Sequence, residues 1–304
     1  MKYVAIISFF IIFFLASCDE KDDPLYQINS FYGSHPLFGL NGSNSLTGDE
    51  TDFMFPEISN TKSKSIHLSG NKILDNLNDT IWNYDIILPP SYYDSPEKFY
   101  PVIYLLHGLG STANEMARNL KINTLLDYFY ENELLPEMIA VFPDCGTTYW
   151  VDNYLDNICF ESFFFNIFLP EIEFKYRIDT TIKRNIFGFS MGGYGAAHYA
   201  VTYPDLFGFC YSASGVLMGK GTTSTPSVFE TAKNLDVNDK PFFIIDICQS
   251  DSFAVMNKLI HFELWLIAFN HECIVREGNH DWNFWKGSIT ACLYRLGRLY
   301  YNFY

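Results

Sequence analysis

Gly188-Phe189-Ser190-Met191-Gly192 has the Gly-x-Ser-x-Gly form of a nucleophile turn. An apolar strand, Asn185-Ile-Phe187, runs into it, and a small-residue helix, Tyr194-Gly-Ala-Ala-His-Tyr-Ala200, follows. Such a strained turn lifts a serine oxygen above a sheet, and only small neighbours fit beside it. Gly192, Gly193, Gly195, Ala196 and Ala197 meet that demand. The chemistry is acyl transfer through Ser190, with the main-chain N–H of Met191 at the helix N-terminus offered to the developing oxyanion. His107-Gly108-Leu109-Gly110 ends an earlier apolar run. A loop of that form can bring a second donor, the Leu109 N–H, to face the first. The His107 side chain reads as a packed structural residue.

Ser190 needs a base, and the base needs an acid, in the chain order serine, acid, histidine. Of the histidines after Ser190, His198 lies in the nucleophile's own helix before any acid. His261 sits inside an apolar helix and His271 opens a strand. His280 lies in Glu277-Gly-Asn-His-Asp-Trp282, a loop directly after the strand Cys273-Ile-Val-Arg276, where a general base can reach Ser190. The acid is Asp251, in the loop after the strand Phe242-Phe-Ile-Ile-Asp246, with Asp246 as its rival. The alternative role for Asp251 is a cap on the helix that follows. Asp281 is too close to His280 in sequence.

The elements that must hold these residues alternate. Strands are expected at 81–88, 102–106, 138–142, 185–187, 208–211, 242–246 and 273–276. Helices are expected at about 113–131, 160–176 with a kink at Pro170, 191–203, 253–270 and 284–301. The short, nearly continuous apolar runs fit strands buried on both faces of a mostly parallel sheet, so the fold class is α/β with helices on both faces. Ligands bind such sheets beyond the carboxyl ends of the strands, which is where these side chains fall.

The 304 residues are 48% hydrophobic and only 18% charged, enough to bury a large core. A net charge of −15 argues against nucleic-acid binding, which rests on Lys and Arg neutralising phosphates. Residues 1–17 read as a signal peptide: Lys2, an apolar run from Tyr3 to Ala16 too short to span a membrane comfortably, then Leu15-Ala-Ser-Cys18. The last four residues resemble the bacterial lipoprotein box, which makes Cys18 a lipidation site and the protein an envelope protein anchored at the outer-membrane surface or in the periplasm. Residues 18–60, acidic and then rich in Asn, Ser and Gly, read as a tether and irregular segment, and 61–304 as the functional domain. Cys145, Cys159, Cys210, Cys248, Cys273 and Cys292 allow 15 pairings, and no spacing is that of a zinc site.

Taken in order, several stretches resemble the esterase D / carbohydrate esterase family 1 group of α/β hydrolases. They are Leu88-Pro-Pro-Ser-Tyr92, Tyr100 to Gly108, Phe168-Leu-Pro-Glu-Ile-Glu173, Gly188 to Gly195, Pro204-Asp-Leu-Phe207, Ser212-Ala-Ser-Gly215 and Gly278 to Trp282 with Trp285. That group includes feruloyl and acetylxylan esterases, S-formylglutathione hydrolases and antigen 85 mycolyltransferases. The resemblance covers about residues 64–301 and implies an α/β-hydrolase fold, a Ser190–Asp251–His280 triad and no metal or cofactor. Cys248-Gln249-Ser250 departs from the Gly-Thr the family usually carries before its acid. Trp282 and Trp285 either line the substrate site or pack the last helix. With an extracellular address, the implied substrate is a feruloyl or acetyl ester of a polysaccharide. An acyltransferase and a non-catalytic glycan-binding lipoprotein are the alternatives.

Overall fold

In the computed structural model, residues 63–76, 79–153, 158–219, 225–236 and 240–301 are described. They lie in the unit Thr51–Phe303. The expected signal peptide, Cys18 and the tether fall outside the described residues. In chain order the strands are β1 (Ile66–Asp75), β2 (Thr80–Leu88), β3 (Val102–Leu106), β4 (Ile139–Pro143), β5 (Asp152–Asn153), β6 (Ile158–Cys159), β7 (Arg184–Phe189), β8 (Phe207–Ala213), β9 (Phe242–Cys248) and β10 (Glu272–Arg276). Eight of them form one sheet in the order β1-β2-β4-β3-β7-β8-β9-β10, while β5 and β6 pair separately. The pairings from β4 through β3 to β10 are parallel, and β1 and β2 join antiparallel at one edge.

Alternation along each strand divides the core in two. Tyr104 and Leu106 of β3 point into one cluster, with Ile186 of β7 and Ile245 of β9. Ile103 and Leu105 point into the other, with Phe187 and Ile244. Both faces therefore need cover, and helices supply it. Helices α1 (Ala113–Asn119), α2 (Ile122–Glu131) and α8 (Trp282–Tyr300) cover one face. The other is covered by α3 (Phe160–Phe163), a π-helical turn (Phe164–Phe168), α4 (Leu169–Lys175), α5 (Met191–Thr202), α6 (Val228–Ala232) and α7 (Ala254–Leu266).

Two helices depart from expectation. The stretch 113–131 breaks at Lys121, which takes a left-handed φ of 49°. Pro170 sits in the first turn of α4, and the π-helical turn before it takes up the irregularity. Proline has no N–H for the carbonyl four residues back, and its ring would collide with that carbonyl, so a widened turn ahead of it relieves both problems. The six described cysteines form no disulfide with one another, and Cys145, Cys210, Cys248 and Cys292 are buried as small apolar residues.

His261 of α7 and His271 form a buried imidazole pair, Nδ1 to Nε2 at 2.7 Å, with His271 Nδ1 on the Phe269 carbonyl at 2.6 Å. Burial and the neighbouring ring push His261 down to about 3. The unfolded chain takes up a proton near pH 6.5 that the folded chain refuses until about pH 3. This pair's contribution is thus complete above 6.5 and is lost as pH falls towards 3. Over that window unfolding free energy should fall more steeply in the unmodified protein than in His261→Gln, by about 1.4 kcal/mol per pH unit. Parallel curves in urea titrations at pH 6.5, 5.5 and 4.5 would contradict this.

Candidate active site

β7 and α5 meet at Ser190, whose φ of 55° and ψ of −121° lie where side chains are rarely found. The turn is possible because its flanks are glycine. A Cβ on Gly188 would lie 1.9 Å from the Gly192 oxygen, and one on Gly192 would lie 2.0 Å from the Leu106 oxygen. The Ser190 N–H donates to the Ala213 carbonyl of β8 at 2.9 Å, which fixes the turn to the sheet. The Ser190 side chain is thereby held at the carboxyl end of β7, partly open to solvent.

His280 and Asp251 converge on it from the loops after β10 and β9. His280 Nε2 is 2.8 Å from Ser190 Oγ, and His280 Nδ1 is 2.6 Å from Asp251 Oδ2. The Asp251 side chain is 1% exposed and that of His280 is 30%. Burial alone would lift the Asp251 carboxyl. Hydrogen bonds from His280, from the Phe253 N–H and from the Ser214 hydroxyl outweigh it and hold the group below the usual carboxylate range. A carboxylate at Nδ1 requires Nδ1 to carry the proton, which leaves Nε2 free to accept the one on Ser190.

Asp246, the rival acid, points elsewhere. Its carboxylate is fully buried against Arg276, Nε to Oδ1 at 3.0 Å and Nη2 to Oδ2 at 2.5 Å, and it accepts from the Tyr211 hydroxyl at 2.8 Å. Arg276 also donates to Ser288 Oγ at 2.7 Å, tying β10 to α8. Asp281 caps α8, its Oδ1 accepting from the Asn283 and Phe284 N–H groups. His198 faces Glu161 at 3.1 and 3.2 Å. None of these reaches Ser190.

The His107–Gly110 loop lies against Ser190: a Cβ on Gly108 would be 3.2 Å from that of Ser190. The Leu109 N–H makes no hydrogen bond among the described residues. Met191 is the first residue of α5, so its N–H has no intrahelical acceptor. His107 itself is wholly buried, with Nδ1 on the Gly108 carbonyl at 2.9 Å and Nε2 accepting from the Cys145 N–H at 3.2 Å. Of the two tryptophans, Trp285 is buried; it stacks on Phe189 at 4.2 Å and backs His280 edge-on at 5.2 Å. Trp282 is half-buried, edge-on to Phe189 and Trp285.

Two neighbours of the site were not foreseen. Phe253 is half-buried with its ring 5.6 Å from that of His280. Ser214, at a left-handed φ of 44°, accepts from the Cys248 N–H at 3.1 Å beside Asp251. The motif Ser212-Ala-Ser-Gly215 contains Ser214, but nothing in it announces a partner 37 residues on.

The Esterase family model, described as "Putative esterase", matches residues 79–296. Esterase Rv1288 of Mycobacterium tuberculosis (strain ATCC 25618 / H37Rv) is 32% identical over 142 residues, which is 44% of this chain and 29% of that protein. Endo-1,4-beta-xylanase Y of Acetivibrio thermocellus is 26% identical over 211 residues, 64% of this chain and 19% of that protein. The chain spans less than a third of the length of these curated relatives. Among solved structures, a ferulic acid esterase superimposes with a TM-score of 0.69 at 26% identity, covering 77% of this chain and 99% of that one.

Proposed function

Because this chain belongs to the esterase family, we propose that it is a serine carboxylic-ester hydrolase acting through an acyl-enzyme on feruloyl or acetyl esters of extracellular polysaccharide. Ser190 Oγ attacks the ester carbonyl as His280 Nε2 takes its proton. The N–H groups of Leu109 and Met191 receive the oxyanion. His280 then returns the proton to the leaving alcohol, activates a water, and a second tetrahedral intermediate releases the acid and restores Ser190. The observation that carries this reading is the unbroken relay from Asp251 through His280 to Ser190, at 2.6 and 2.8 Å, ending on a serine at positive φ.

The polysaccharide part of the proposal is supported by resemblance to a ferulic acid esterase and to a protein named as a xylanase. The envelope location, with anchoring by lipid at Cys18, is supported by the sequence pattern of residues 1–18: Lys2, the apolar run from Tyr3 to Ala16 and Leu15-Ala-Ser-Cys18. Protein starting at Asp19 should turn over 4-nitrophenyl acetate, and its ratio of rates on methyl ferulate and acetylated xylan identifies the acyl group. A folded protein inert towards all three and unlabelled by a fluorophosphonate would refute the hydrolase reading. For the anchor, palmitate incorporation into the full chain in a bacterial host should disappear in Cys18→Ala.

A further inference from the structure

Trp150 takes no part in the proton relay, yet it is the largest fully buried side chain among the described residues and it touches both halves of the site. Its ring lies on the nucleophile helix at Gly195, where a Cβ would come within 2.4 Å of the indole. On the other side its Nε1–H donates to the His107 carbonyl at 3.3 Å. That carbonyl opens the oxyanion loop, and it also abuts Gly192, whose Cβ would lie 2.6 Å from it. The indole therefore spans from the helix that begins at Met191 to the loop that carries Leu109. Phe160 and His107 meet it edge-on, at 5.5 and 5.2 Å.

The backbone that delivers this ring is strained. Tyr149 and Trp150 are consecutive, neither is glycine, and their φ angles are 61° and 64°. Side chains avoid this region, and it persists only where the surroundings fix it. The same segment holds the oxyanion loop a second time, through the Cys145 N–H on His107 Nε2 at 3.2 Å.

We propose that Trp150 is a positioning residue for the oxyanion hole. By bridging Gly195 and the His107 carbonyl it sets the separation of the Met191 and Leu109 N–H groups. Donors of this kind stabilise charge only when already placed for it, so a loosened loop weakens the transition state and leaves substrate binding alone. This inference rests on the serine hydrolase reading.

Trp150→Phe fills most of the space without the N–H. With sites counted by fluorophosphonate titration, kcat on 4-nitrophenyl acetate should fall about tenfold while KM stays within twofold. Affinity for phenylboronic acid should fall by the same factor, because its tetrahedral adduct on Ser190 puts an anionic oxygen in the hole. A side chain that merely packs would lower the melting temperature or the count of titratable sites, with kcat per site and boronate affinity unchanged. That result overturns the proposal. If Trp150→Phe does not fold, 3-benzothienylalanine at position 150 keeps the indole shape without the donor, and the same two readouts decide. Failure of the unmodified protein to label removes the hydrolase reading, and the clamp with it.

Discussion

Ser190→Ala should lose ester turnover almost completely, kcat falling by roughly 10⁴- to 10⁶-fold, because no acyl-enzyme can form and only substrate binding beside the oxyanion donors remains. The substitution should leave the fold as it is. Alanine inherits the same φ of 55°, so the strain in the turn is unchanged, and the freed His280 imidazole is exposed enough for water to take the place of Ser190 Oγ. Ser190→Gly separates the two properties further. Glycine adopts this conformation without steric cost, so the variant should be equally inactive yet more stable by about 1 kcal/mol, or roughly 2–4 °C in melting temperature for a domain of this size. Activity and stability would then move in opposite directions at one position, as expected where strain is maintained for chemistry. Residual turnover near the wild-type rate in Ser190→Ala would mean a different nucleophile. A glycine variant melting below the alanine one would mean that the turn is not strained.

The central strands could be read from sequence because burial on two faces leaves a mark that needs no partner to interpret: Val102–Leu106 and Ile139–Phe142 are apolar throughout. β1 left no such mark. It is an edge strand with exposed Leu74 and polar stretches, and its pairing with β2 is interrupted between Leu68 and Asn71, so no apolar alternation marks it. The break at Lys121 was invisible for a different reason. Neither glycine nor proline stands there, and the left-handed residue is imposed by how α1 and α2 each pack on the sheet. Trp150 shows the same limit within the site. Its partners, His107 and Gly195, are 43 and 45 residues away, and a tryptophan in a loop carries no sign of which carbonyl it will meet.

Position past the strand end favours Asp251 over Asp246 but does not exclude Asp246, which lies in β9 before the same helix. What separates them is a residue on the neighbouring strand. In the parallel register Asp246 pairs with Ile274, so Arg276, two residues on, emerges on the same face within reach of it. Asp246 is claimed by that guanidinium, and Asp251, past the strand end, is left to meet His280. The two aspartates should therefore fail in different ways when each is replaced by its amide. Asp251→Asn keeps the shape and can still accept from the Phe253 N–H, but its amide can donate to His280 Nδ1. The ring is then driven to the tautomer that carries its proton on Nε2, facing Ser190, and it cannot act as a base. kcat should fall by roughly 10³- to 10⁴-fold with a change in stability of about 1 kcal/mol or less. Asp246→Asn should do the reverse. It leaves a buried guanidinium without its counter-charge, which costs about 3–5 kcal/mol, or roughly 10 °C in melting temperature. Because Asp246 touches neither His280 nor Ser190, kcat per titrated site should stay within tenfold of wild type at a temperature where the variant is folded. Measured side by side, the pair assigns the acid: a stable but inactive Asp246→Asn with an active Asp251→Asn would transfer the role to Asp246.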